Sequence, residues 1–166
     1  MAQRPAGLPG EWVLLSYRLP REPSTPRIAV WRKLKRLGVG QISDGVVALP
    51  ADARTREQLE WIAEEVTEAG GAASIWIARP ATVAGERELA AGMAQARADE
   101  YAAITAEALA APVTLAERQS LARRLRAELR RVHRRDYFPP AERHRATAAV
   151  EALAAASVPA AGEVSS

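Results

Sequence analysis

TPRIAVWRKLKRLGVGQISDGVVALP, residues 25–50, carries a helix and a hairpin back to back. Thr25 is placed to cap a helix whose first position is Pro26, and Ile28, Trp31, Leu34 and Leu37 recur at helical spacing until Gly38 ends the segment. Residues 39–42 and 46–49 then read as short strands around Ser43-Asp44-Gly45, where the Asp-Gly pair supplies a tight turn and Pro50 closes the second strand. Upstream, residues 12–19 (WVLLSYRL) are an apolar, β-branched and aromatic run ended by Pro20, which reads as a strand buried on both faces. Downstream, Thr55 with Gln58 makes a capping-box signature ahead of the stripe Leu59, Ile62, Ala63, Val66 and Ala69, which stops at Gly70-Gly71. Residues 72–78 (AASIWIA) form a fourth strand, halted before Pro80.

Strand, helix, hairpin, helix, strand is the order of a split βαβ unit. It predicts an α+β fold: a ferredoxin-like βαββαβ sandwich with a four-stranded antiparallel sheet and both helices on one face. Trp12, Trp31, Trp61 and Trp76 fall one per main element and are expected to fill its core. After Pro80 the strand pattern vanishes. Residues 85–111, 114–135 and about 141–156 read as helices, the second opened by Thr114 with Glu117 and striped by Leu121, Leu125, Leu129 and Val132. The expected organisation is a ferredoxin-like domain at 1–80, a three-helix extension at 81–156 and a disordered tail at 157–166. Hydrophobic residues make up 48% of the 166, but much of that is alanine, so the core is expected to be thin.

The absence of cysteine excludes disulfides, thiolate metal sites and a cysteine nucleophile. No apolar run of signal-peptide or membrane-span length is present, so a cytoplasmic protein without membrane attachment is expected. Gly38-Val39-Gly40 lacks the further glycine and lysine of a phosphate loop, Ser16 and Ser43 have no histidine near in sequence, and Asp44 and Asp52 suit a turn and a pre-helix loop. His133 and His144 are separated by Pro139-Pro140 and belong to no metal-ligand pattern. No catalytic apparatus and no cofactor site are legible.

Charge placement is more informative than the net charge of +3. Lys and Arg total 23, and all but Lys33 and Lys35 are arginine. At 100° per residue, Arg123, Arg126, Arg130 and Arg134 fall opposite the leucine stripe, an outward ridge flanked by Arg124, Arg131 and Arg135. Guanidinium groups bind phosphate through two parallel hydrogen bonds, so the ridge points to a nucleic-acid backbone. The competing reading is an ordinary solvated face paired with Glu64, Glu65, Glu86 or Glu88, or one that meets an acidic protein. A second basic cluster, Arg27, Arg32, Lys33, Lys35 and Arg36, decorates the first helix; Arg32, Lys33 and Arg36 are its candidate phosphate contacts. Tyr137 and Phe138 suit either base stacking or an apolar plug at a helix end, and Asp136 an arginine pair or a turn.

Taken in order, the segment Arg27-x-x-Val30-Trp31-Arg32-x-Leu34-x-x-Leu37-Gly38, the hairpin Asp44-Gly45-Val46-x-x-Leu49-Pro50, the Trp76 strand and Arg134-Arg135-Asp136-Tyr137-Phe138-Pro139 resemble the N-terminal region of the ChrB chromate-resistance family, over roughly residues 10–155. The resemblance implies a chromate-responsive transcriptional regulator of an efflux operon, here expected as a stand-alone N-terminal domain without the further C-terminal domain that members commonly carry. The first half is also similar to the ferredoxin-like domains of phenylacetate-catabolism repressors and of small CRISPR-adaptation nucleases. The nucleases rely on an aspartate near the end of the first strand, where this chain has Ser16-Tyr17-Arg18, and no winged-helix segment precedes Trp12. The expected function is therefore a non-enzymatic, homodimeric DNA-binding regulator using no cofactor, the dimer formed through sheet edges. The alternatives are an accessory protein or enzyme gripping chromate or another oxyanion, and a protein-binding module.

Overall fold

The computed structural model describes residues 6–110 and 112–159. The elements run β1 (Trp12–Arg18), α1 (Thr25–Leu37), β2 (Gly40–Ser43), β3 (Val46–Pro50), α2 (Ala53–Glu68), β4 (Ala72–Ala78), α3 (Val83–Leu109), α4 (Leu115–Arg134) and α5 (Glu142–Ala155). The α+β expectation holds: the strands form one antiparallel sheet in the order β2-β3-β1-β4. The chain divides into two compact units, Met1–Ala94 and Gln95–Ser166, and the division falls inside α3.

In the first unit the register places Val13 beside Leu49 and Ile77, and Leu15 beside Val47 and Ile75. Because side chains alternate along a strand, these residues share one face. Val13, Leu15, Val47 and Leu49 are fully buried there, and Val30, Leu34, Leu59, Ile62 and Val66 from α1 and α2 complete the layer. α2 lies across β1 and β4, with α1 beside it. Ile28 was expected in the stripe of α1 but is exposed, since the buried positions of that helix are Val30 and Leu34. The first turn of α2 also differs from expectation. Asp52 is the cap: its carboxylate accepts from Thr55 N at 2.7 Å while the Thr55 hydroxyl accepts from Asp52 N at 3.0 Å.

Two glycines explain the hairpin's fit. Gly45 sits at φ +74° in the β2–β3 turn, its carbonyl accepts from Tyr17 N at 2.8 Å, and a Cβ there would lie 2.5 Å from the Tyr17 carbonyl oxygen. At Gly40 a Cβ would come 2.7 Å from Leu89 Cδ1 and 3.0 Å from Met93 Sδ, so the missing side chain lets the first turns of α3 approach β2. Glu86 of α3 is buried and accepts from Gly10 N at 2.6 Å and from the Trp12 indole at 2.9 Å.

The tryptophans do not fill the core as a set. Trp12 is buried and Trp31 is half-buried with the Lys35 ammonium 5.4 Å above its ring, but Trp61 and Trp76 are 60% and 59% exposed. In the second unit Tyr101, Ile104, Ala108, Leu125, Leu129, Val132, Ala146, Val150 and Leu153 make a three-helix core. Ser157, expected to begin the tail, is buried, its hydroxyl donating to Leu153 O and its carbonyl accepting from Gln119. Val158 is exposed, and the expected tail from residue 160 onward lies outside the described residues.

Candidate nucleic-acid interface

Helix α4 starts where the sequence places it. Thr114 is the cap, its hydroxyl accepting from Glu117 N at 3.4 Å and donating to the Glu117 carboxylate at 2.5 Å. Ala122, Leu125, Leu129 and Val132 anchor one face in the three-helix core. The helical repeat then carries Arg123, Arg126, Arg130 and Arg134 outward, and all four are exposed. At 1.5 Å rise per residue the ridge runs about 16 Å.

Partners divide the ridge. Arg126 makes a two-armed pair with Glu151 of α5, Nε to Oε1 at 3.2 Å and Nη2 to Oε2 at 2.9 Å. This bond holds the Glu151 carboxyl below the usual carboxylate range and raises the guanidinium. Arg124 is tied to Glu107 and, at 3.7 Å, to Glu128, while Arg135 binds Glu100 at 2.9 Å. Among the described residues no ion pair or hydrogen bond engages the guanidinium of Arg123, Arg130, Arg131 or Arg134. The acids that engage arginines of this segment are thus Glu100, Glu107, Glu128 and Glu151, all of its own unit.

On α1, Arg32 and Arg36 are exposed with no ion pair among the described residues. Lys33 is occupied, its ammonium 2.6 Å from both carboxylate oxygens of Glu65. The α1 and α4 clusters belong to different units.

Below the C-terminal end of α4 lies a polar cluster that sequence reasoning did not assemble. The Asp136 side chain is fully buried and its Oδ2 accepts from the Tyr101 hydroxyl at 2.8 Å and from Arg143 at 3.4 Å. Burial first, then the hydrogen bond to Asp136, push the Tyr101 phenol well above its ordinary range. The His133 ring packs 5.8 Å from that of Tyr101, and burial, reinforced by the Arg143 charge and opposed by Asp136, lowers its pKa. Arg97, itself buried, donates to the Arg135 carbonyl at 3.3 Å and shares Glu100 with the Arg135 side chain. Asp136 Oδ1 and His133 Nε2 are buried and have no hydrogen-bond partner among the described residues. The cluster ties the end of α4 to α3 and to α5, so Arg130 and Arg134 project from a braced segment. Tyr137 and Phe138 are half-buried beside it. The only sequence signal for this brace was a lone acid, Asp136, inside a basic run.

Residues 27–164 match the family model described as Protein ChrB, N-terminal. The chain is 29% identical over 133 residues to Protein ChrB of Cupriavidus metallidurans, an alignment covering 77% of this chain and 40% of that protein. It thus spans well under half the length of that relative. No solved structure matches the chain.

Proposed function

Since the chain belongs to the ChrB N-terminal family, we propose that it is a cytoplasmic DNA-binding regulator of chromate resistance, contacting phosphates through the outward face of α4. One observation carries this reading: Arg123, Arg130 and Arg134 stand exposed along one side of α4 and, among the described residues, meet no carboxylate, whereas Arg124, Arg126 and Arg135 do. Leaving guanidinium groups without partners maximises their attraction for an external anion, and binding one phosphate each releases condensed counterions. Arg32 and Arg36 of α1 supply a second pair of contacts. The sheet order, with β1 and β3 central, supports reading the first unit as ferredoxin-like.

The spacing of the free arginines favours a polymer over a small oxyanion. Arg123 and Arg130 are about 10 Å apart along the helix axis and Arg130 and Arg134 about 6 Å. A tetrahedral dianion needs donors that converge on one point, whereas a backbone of regularly spaced phosphates suits donors in a line. The direct test is a fluorescence-anisotropy titration with duplex DNA from upstream of a chromate-resistance operon, run beside calorimetry with chromate and with sulfate. Duplex binding without a chromate-specific heat supports the proposal. Chromate binding without duplex binding would replace it with the oxyanion reading.

A further inference from the structure

The face of the sheet turned away from α1 and α2 is only partly covered. Val13 and Leu15 of β1 point to those helices, so Trp12, Leu14, Ser16 and Arg18 belong to the opposite face. The register sets Leu14 beside Trp76, Ser16 beside Ser74 and Arg18 beside Ala72, which puts these β4 residues on that face too. The N-terminal half of α3 closes one corner of it: Glu86 binds the Trp12 indole, and Leu89 and Met93 approach Gly40. The β1–β4 side beyond that corner stays open, and there Trp76 is 59% exposed.

The setting of Trp76 separates it from the other indoles. Trp12 is buried, the Lys35 ammonium sits over Trp31, and Trp61, equally exposed, lies within about one helical turn of Glu57, Glu64 and Glu65. The neighbours of Trp76 on its own face, Leu14, Ser74 and Ala78, carry no charge. Ser74 Oγ accepts from the indole Nε1 at 3.1 Å, which anchors one edge of the ring. Further along the same face stands Arg18, exposed and with no ion pair among the described residues. It is four residues beyond Leu14, about 13 Å at 3.3 Å per residue.

We infer that Trp76 is a stacking platform for an unpaired nucleobase, with Arg18 taking a phosphate of the same single strand. An indole bordered by small uncharged side chains presents a flat apolar surface that matches the π-face of any base, so the site should tolerate sequence. The separation from Arg18 suits an extended strand whose base lies on the ring while a neighbouring phosphate reaches the guanidinium. Charge selects this indole over Trp61, whose glutamates repel phosphate. A protein partner would want continuous apolar surface, and here Ser16, Ser74 and Arg18 interrupt it. Bases in a duplex are already stacked on one another, so this site is separate from the duplex contacts proposed for α4.

Titration of the full chain with a short oligothymidylate, followed by tryptophan fluorescence, tests the inference. Binding should quench the emission of the exposed indole. Trp76→Ala should remove that quenching and weaken binding at least about fivefold, Trp76→Tyr should keep most of the affinity, and Trp61→Ala should change neither. Arg18→Ala should weaken binding and flatten its salt dependence. Duplex binding, read by anisotropy, should be the same in Trp76→Ala as in the parent, so this inference and the α4 reading can fail separately. No binding of the oligothymidylate, quenching that persists in Trp76→Ala, or an equal loss in Trp61→Ala would overturn it. So would an assembly larger than 17.9 kDa that Trp76→Ala dissolves with oligothymidylate binding intact, which would give the face to a second copy. Arg18→Ala and Trp76→Tyr decide the matter if Trp76→Ala fails to fold.

Discussion

Replacing Arg123, Arg130 and Arg134 together by alanine removes the three ridge guanidinium groups that no carboxylate engages. Each phosphate contact contributes about 0.9 to the slope of log K against log salt, so the triple variant should lose about 2.7 from that slope. Between roughly 50 and 200 mM salt the parent protein should therefore weaken about fortyfold more than the variant. None of the three side chains belongs to the core or to an internal ion pair, so thermal melting should be unchanged. The assay is an anisotropy titration of labelled duplex at several salt concentrations, for both proteins. Equal slopes would refute the reasoning, because they would mean that these arginines meet no phosphate.

Arg126→Ala should alter the salt slope less than any one of the three free arginines, since Glu151 already holds that guanidinium; a full-unit change in the same titration would contradict this. Tyr101→Phe should cost about 1.5–3 kcal/mol in chemical denaturation, because it strips the buried Asp136 carboxylate of its shorter hydrogen bond. The parent should also lose stability above about pH 10, where the unfolded chain ionises a phenol that the native state keeps protonated, and Tyr101→Phe should lessen that loss. His133 gives the opposite window. Its native pKa lies below the ordinary value of about 6.5, so its contribution is complete above that pH and declines as acid protonates the unfolded chain first; His133→Gln should flatten the acid limb in denaturation curves recorded against pH. Gly45→Ala should destabilise the first unit by at least about 1–2 kcal/mol through its positive φ, and by more through the clash with the Tyr17 carbonyl, read as a lowered denaturation midpoint.

Much of the fold was legible because local signals agreed with one another. The Asp44-Gly45 turn, the Gly38 stop, the Thr114 cap and the AASIWIA strand each appear where spacing and turn chemistry place them. What failed was inference from residue size. Trp61 and Trp76 were assigned to the core as large apolar side chains, yet Trp61 lies off the Leu59, Ile62 and Val66 stripe on the outer side of α2, which helical spacing alone shows, and Trp76 lies on an edge strand, which cannot be read without the strand order. The site was half legible. Helical periodicity alone found the outward ridge, but it could not say which arginines are engaged, because Arg126 and Glu151 are 25 residues apart and meet only when α4 packs on α5. The same holds for Tyr101 and Asp136, which are 35 apart.

The central claim is that the outer face of α4 meets a nucleic-acid backbone. The chain has no cysteine, so a single one at position 130, carrying a photoactivatable crosslinker, reports on that face alone. A second protein with the same group at exposed Ala103 of α3 serves as the reference. The account predicts a salt-sensitive crosslink to operator duplex from position 130 and little from position 103. Equal crosslinking from both, or none from position 130 while the protein still retards the duplex, would contradict it.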